Sequence, residues 1–327
     1  MRDSSTFVCV LCGGVDCALL HQDLPDLHLE QPTGYRAQLV QCARCGLIAQ
    51  WPTPSNEQLT SFYPDAYSPF QARASGVHPT QRVFRSRRPQ FVTRHVRSGR
   101  LLDVGCSTGA FLLDMQAVGG WSCTGIEPSR SAVMAARARG LDVHEMNMEQ
   151  LGAHADLGRF DAITLWDVLE HLRDPVESLR QLRTMLADNG VLVIGIPNGD
   201  SLEYRLFGRW WSGLEAPRHL FVFSRRTIAA VLSAAGFDVQ EIRNGPGLYL
   251  TFVNTLLFRL RAAGVAYAAT QRIGALLRAA PLRLLAEPFF RLTSVGVRGS
   301  KMVVTARANA HTPGNVDELR SEGDGDG

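Results

Sequence analysis

Lysine is almost absent from this 327-residue chain: Lys301 is the only one among 34 basic residues, which face 31 acidic ones for a formal charge of +3. So small a balance does not by itself imply a nucleic-acid partner. Two other features are missing: a basic N-terminal region leading into an apolar core, and any run of about 18 uncharged apolar residues. These absences predict a cytoplasmic protein without a spanning helix. Without a secretory signal, the seven cysteines do not read as a disulfide framework. No internal repeat is evident. What is present, 45% hydrophobic residues, suffices for one large domain and a smaller one.

Four of the cysteines form two CxxC pairs, Cys9 with Cys12 in CVLCGG and Cys42 with Cys45 in CARCGL, each followed by glycine. Two intervening residues let a tight knuckle aim both sulfurs at one metal, and the glycine removes a Cβ that would crowd the turn. The expectation is a structural four-thiolate Zn2+ site in a ribbon over residues 1–50. Four protein thiolates leave no open coordination position for catalysis. Cys17 is a substitute ligand, while Cys106 and Cys123 read as small core residues.

Residues 51–99 read as a linker or lid. Prolines 52, 54, 64 and 69 forbid a long helix, although Ser55 can cap a short one through Leu59 and Phe62. Residues 82–100 carry seven arginines and no acid, which fits either a nucleic-acid or membrane surface or a solvated helix. From residue 100 to 308 strands and helices alternate. Strands are expected at 101–104, 122–126, 142–144, 160–165 and 191–197, with helices at 110–118, 131–139 and 175–186 between them. A helix at 227–235 and strands at 236–244 and 301–308 follow. Such spacing predicts parallel strands with right-handed crossovers, an α/β doubly wound Rossmann-like sheet. Residues 246–297 interrupt it as a helical insertion before the last strand. Leucines and phenylalanines there are edged by arginines 259, 261, 272, 278, 283 and 291, with Glu287 the only acid. Such faces suit peripheral contact with the inner face of a membrane, a helical cap or a dimer surface. The tail, 309–327, is low in apolar residues and is expected to be disordered.

The first strand ends in LLDVGCSTGAF, residues 101–111. Dinucleotide-binding turns need three glycines at G-x-G-x-x-G, and here serine and alanine stand at the second and third places. Asp103 beside the loop also suits a cofactor carrying positive charge better than a pyrophosphate. Over residues 100–245 the chain resembles class I S-adenosylmethionine-dependent methyltransferases, with the glycine motif as DVGCSTG and Ser107 in place of the usual middle glycine. The resemblance implies S-adenosyl-L-methionine (SAM) as cofactor, cradled by Asp103, Gly105, Ser107 and Gly109. Glu127 in GIEPS would accept from the ribose hydroxyls, and Asn147 in EMNMEQL from the adenine amino group. Met148 and Trp166 would complete the cofactor site. FDAITLWDVLEHLRDP resembles the branch that includes ubiquinone-pathway O-methyltransferases.

The double knuckle, YPDAY and PRHLFVFSRRTIAAVLSAAGF together resemble bacterial methyltransferases of polysaccharide, modified-sugar and natural-product biosynthesis, zinc-carrying sugar C-methyltransferases among them. Those carry Tyr-x-Glu-His after the fifth strand, where this chain has Glu215-Ala-Pro-Arg-His219. The expected acceptor is therefore a hydroxyl of a small molecule, sugar or lipid-linked glycan. A hydroxyl benefits from a general base as it attacks, and His219 and His171 are the candidates, the latter with Glu170 adjacent. Tyr63, Tyr67, Trp210 and Trp211 would line the acceptor pocket or pack the lid. Two alternatives stand beside this reading: an RNA methyltransferase using the ribbon and the arginine stretch, and a non-catalytic SAM-binding scaffold. The turn LWDVLEH, which lacks the Asn/Asp-Pro-Pro-aromatic pattern of base methylation, argues against the first.

Overall fold

The computed structural model describes residues 6–30, 34–63, 87–152, 154, 157–245, 248–293 and 296–309. The YPDAY motif beyond Tyr63, with Tyr67, arginines 82 and 85, and the expected disordered tail from residue 310 lie outside the described residues.

The chain opens with an antiparallel ribbon of β1 (Cys17–Leu24), β2 (Ala37–Cys42) and β3 (Ile48–Gln50). Helix α1 (Asn56–Ser61) follows. Its start is fixed by a capping box in which Ser55 Oγ accepts from Gln58 N and the Gln58 side chain accepts from Ser55 N. Pro89 in the first turn sets the start of α2 (Arg88–Thr93).

The expected strand and helix alternation is present, with a short α5 that was not expected and a β8 that begins before residue 191: β4 (Gly99–Val104), α3 (Ala110–Val118), β5 (Trp121–Glu127), α4 (Arg130–Arg137), β6 (Asp142–Glu145), α5 (Met148–Leu151), β7 (Phe160–Trp166), α6 (Pro175–Thr184) and β8 (Leu186–Pro197). Asp174 caps α6 by accepting from Glu177 N, and Pro175 occupies its first turn. Helix α7 (Leu202–Phe207), β9 (Phe221–Val222), α8 (Arg225–Ala234) and β10 (Phe237–Asn244) lead to the insertion. That comprises α9 (Leu248–Ala262), α10 (Tyr267–Leu277) and α11 (Ala280–Thr293), and β11 (Lys301–Ala308) closes the fold.

Seven strands form the central sheet in the order β10-β11-β8-β7-β4-β5-β6. The five from β8 to β6 pair in parallel. By contrast, β11 runs antiparallel to both its neighbours, so the sheet is mixed rather than wholly parallel. Reversal follows from the insertion, which returns the chain to the sheet from the edge where the parallel strands end. Residues 190–197 of β8 are buried throughout, as a central strand covered on both faces requires.

The ribbon does not stand alone. Its sheet takes a fourth strand from the second half of the chain, because β3 pairs with β9 through Ile48 opposite Val222 and Ala49 opposite Phe221. Packing follows the same seam: Leu24, Leu39 and Val222 share a buried cluster with Trp211 and Leu214. The N-terminal segment thereby grips the stretch that carries His219.

Candidate functional site

The two knuckles have the same backbone pattern. Gly13 N donates to Cys9 O and Gly46 N to Cys42 O, each at 2.9 Å, while Cys9 N donates to Gly14 O and Cys42 N to Leu47 O. Both glycines need positive φ, +68° and +75°, where a Cβ would be strained. Cys9 Sγ lies 3.5 Å from Cys45 Sγ and Cys12 Sγ 3.6 Å from Cys42 Sγ, and all four sulfurs fall within 4.8 Å of one another. Cys17 is exposed at the start of β1 and outside this group. Cys106 and Cys123 are buried, and burial raises both thiols.

At the carboxyl edge of the central sheet, the loop after β4 turns on Gly105 at φ +68° and Gly109 at φ +76°. A Cβ on Gly105 would lie 2.5 Å from Val168 Cγ2, and one on Gly109 2.1 Å from Leu141 Cδ1. The loop therefore has no room for larger residues there. Ser107, at φ +50°, donates its N–H to Glu127 Oε2 at 2.9 Å, and Ser129 N donates to Glu127 Oε1 at the same distance. Glu127 thus ties the glycine loop to the turn after β5. The buried Ser107 Oγ has no hydrogen-bond partner among the described residues.

Asp103 sits one residue inside the end of β4, buried, where Thr164 Oγ1 donates to its Oδ1 at 2.6 Å. Asn147 caps α5 by accepting from Gln150 N at 3.0 Å, with Met148 buried behind it. Trp166 ends β7 with its ring against Phe111 and Phe91, and the guanidinium of Arg88 lies 5.0 Å over it. Next to it, Asp167 at φ +59° accepts from Lys301 Nζ at 2.6 Å and from Arg88 Nη2 at 3.3 Å. The single lysine of the chain thus stands at the ligand edge of the sheet, a placement that sequence reading missed because β11 had no assigned direction.

The two histidine candidates meet. Their rings stand edge to face with centroids 4.6 Å apart. His219 Nδ1 lies 2.8 Å from Gly213 O, and a carbonyl only accepts, so Nδ1 carries the proton. Burial lowers the His219 pKa against the opposing pull of Glu215, so the ring is neutral near pH 7 and Nε2 is a bare acceptor. That atom faces two carboxyls, Glu215 at 3.6 Å and Glu170 at 3.8 Å. Glu170 is 0% exposed, and neither of its oxygens has a hydrogen-bond partner among the described residues. Burial first, and the charge of Asp167 second, raise its pKa well above the carboxylate range.

His171 is lowered to about 3, mainly by burial, and its Nδ1 lies 2.9 Å from Tyr63 Oη and 3.2 Å from Arg218 O. Trp211 is buried in the ribbon cluster, and Trp210 packs under Arg209. Behind His219, Arg218 makes a bidentate pair with Asp26, both 0% exposed, and donates from Nε to Phe62 O. Nothing in HQDLPDLHL marked Asp26 as the partner of a residue 192 positions away.

Comparison with known proteins places this geometry in context. Residues 77–242 match a family described as a methyltransferase domain. Among curated proteins, the chain is 32% identical over 111 residues to a ubiquinone biosynthesis O-methyltransferase of Alkalilimnicola ehrlichii, covering 32% of this chain and 44% of that one. It is 28% identical over 150 residues to a tRNA U34 carboxymethyltransferase of Colwellia psychrerythraea, covering 44% and 46%. The chain spans about half the length of the curated relatives it matches. Among solved structures, a SAM-dependent methyltransferase from Archaeoglobus fulgidus aligns with a TM-score of 0.47 and 17% identity, over 74% of this chain and 99% of that one.

Proposed function

Because the chain belongs to the methyltransferase-domain family, we propose that it transfers the methyl group of SAM to a hydroxyl of a small-molecule acceptor: a sugar, a lipid-linked glycan or a natural product. The observation that carries this reading is a bare, fixed His219 Nε2 facing Glu170 in the turn after β7, the turn whose Val168 packs against Gly105 of the glycine loop. When bound, SAM supplies a methyl group on a positively charged sulfonium. Glu127 would hold the ribose hydroxyls with the oxygens that now gather Ser107 and Ser129. Asp103 would offer negative charge beside the loop, and Asn147 would accept from the adenine amino group through Oδ1.

His219 Nε2 receives the acceptor's proton as its oxygen attacks, with Nδ1–H held on Gly213 O so that the ring cannot turn. Glu215, whose carboxylate lies 3.6 Å from Nε2, then stabilises the imidazolium. Cys9, Cys12, Cys42 and Cys45 would hold zinc in a structural part, as a clamp on the ribbon whose sheet includes Phe221 and Val222, two and three residues beyond the base.

The test is release of the demethylated cofactor with nucleotide sugars, lipid-linked glycans and phenolic quinone precursors offered as acceptors. His219→Gln should lower kcat by about 10²–10⁴-fold on the active acceptor while SAM affinity stays as in the parent. Equal turnover by parent and variant would remove His219 from the mechanism. The tRNA-modifying relative supports a second reading, in which RNA is the acceptor. It requires RNA binding that weakens steeply with salt.

A further inference from the structure

Helix α11 carries two apolar stripes. Ala286 and Phe290 turn inward, where Phe290 meets Tyr249 and Phe252 of α9 at ring-centroid distances of 5.5 and 5.0 Å. Leu282, Leu285, Phe289 and Leu292 turn outward at spacings of three, four and three residues, with exposures up to 79% at Leu285 and 73% at Leu292. A helix that only packed onto its own protein would be polar on that outer face. On α10, Leu276 is likewise 66% exposed, one turn from exposed Arg272.

The insertion that carries these faces has an excess of positive charge. Residues 246–297 hold six arginines and one glutamate, a larger positive excess than the +3 of the whole chain. Arg261 is engaged with Leu27 O and Leu29 O of the ribbon, and Arg278 with Asn254. Arg259 and Arg272 are exposed. A second copy of the chain docked on this face by two-fold symmetry would set arginine-rich surfaces against each other. An anionic bilayer offers the complement to both features: phosphates for guanidinium groups and the acyl boundary for leucine and phenylalanine. No helix among the described residues is long and apolar enough to cross a membrane.

We propose that the outer face of α10 and α11 is a docking surface for an anionic lipid bilayer, on which the protein lies without inserting a span. The face connects to the candidate base through α9, since Ser212 donates its N–H to Thr255 Oγ1 and its hydroxyl to Thr251 O, next to the Gly213 carbonyl that holds His219. The inference does not depend on the identity of the acceptor.

The experiment is co-sedimentation of the full-length protein with vesicles of phosphatidylcholine alone and of phosphatidylcholine containing phosphatidylglycerol. Binding to the anionic vesicles should be at least about tenfold tighter and should weaken as salt rises. The double variant Leu285→Glu/Phe289→Glu should lose at least about tenfold of that binding, with an unchanged circular dichroism spectrum because both side chains are exposed. Equal partition onto the two vesicle types overturns the proposal, as does undiminished binding of the double variant. A wild-type dimer that the double variant dissolves, without vesicle binding, would assign the face to a second copy instead.

Discussion

Asp26→Asn is the perturbation whose outcome the structure fixes most closely. Arg218 is 0% exposed and donates to Asp26 at 2.6 and 3.1 Å and to Phe62 O at 2.8 Å. Asparagine leaves one acceptor and turns an amide donor toward a guanidinium that has no water to fall back on. Breaking a fully buried pair at one end costs about 3–5 kcal/mol. At about 2 °C per kcal/mol for a chain of this size, the midpoint of thermal unfolding should fall by about 6–10 °C. The double variant Asp26→Leu/Arg218→Met removes both charges and leaves two neutral groups unpaired, Phe62 O without its donor and the His28 N–H without the Asp26 Oδ1 that accepts it at 2.9 Å, at about 1–3 kcal/mol each, offset in part by the desolvation cost that the buried pair no longer incurs. It should therefore be more stable than Asp26→Asn. Denaturant unfolding of parent, single and double variants gives the three free energies. A single variant within about 1 kcal/mol of the parent, or a double variant less stable than the single, would refute the pairing.

Two further outcomes follow from the same geometry. Burial lowers His171 from the ordinary 6.5 to about 3, so the unfolded chain takes up its proton first as pH falls. Its contribution is complete above pH 6.5 and is lost progressively toward pH 3, while the raised Glu170 acts in the opposite sense as pH rises above its unfolded value near 4.5. The stability of His171→Asn should thus fall less than that of the parent between pH 6.5 and 5; parallel curves would contradict the burial of the ring. Metal analysis should find one zinc per chain, lost in Cys42→Ser. Because β3 pairs with β9, that variant should also lower methyl transfer, and full activity without zinc would separate the ribbon from the site.

Much of the sheet was readable because its signals are local. VLVIGIP is an unbroken apolar run, Ser224 and Thr227 form a capping box, and the CxxCG knuckles repeat one backbone pattern. Helix limits moved by one or two residues where caps compete: Ser129, rather than a later residue, caps α4. Contacts between distant segments were hidden. Phe221–Val222 is too short for alternation to mark it as a strand, yet it fastens the ribbon to the main fold. No local motif marks Asp26, Asn147 reads as a ligand contact but also caps a helix, and Lys301 gains meaning only once β11 is known to run antiparallel. For Asp26 and Lys301 a long-range partner, not the local pattern, sets the role.

Titration of SAM into the full-length protein in a calorimeter tests the central claim, that the loop gathered by Glu127 holds the methyl donor. One site per chain is expected, and Glu127→Gln, which gives up charge-assisted acceptance at both oxygens, should weaken it by about 10- to 100-fold, the equivalent of about 1.5–3 kcal/mol. No heat from the parent protein, or the same affinity in the variant, would contradict it.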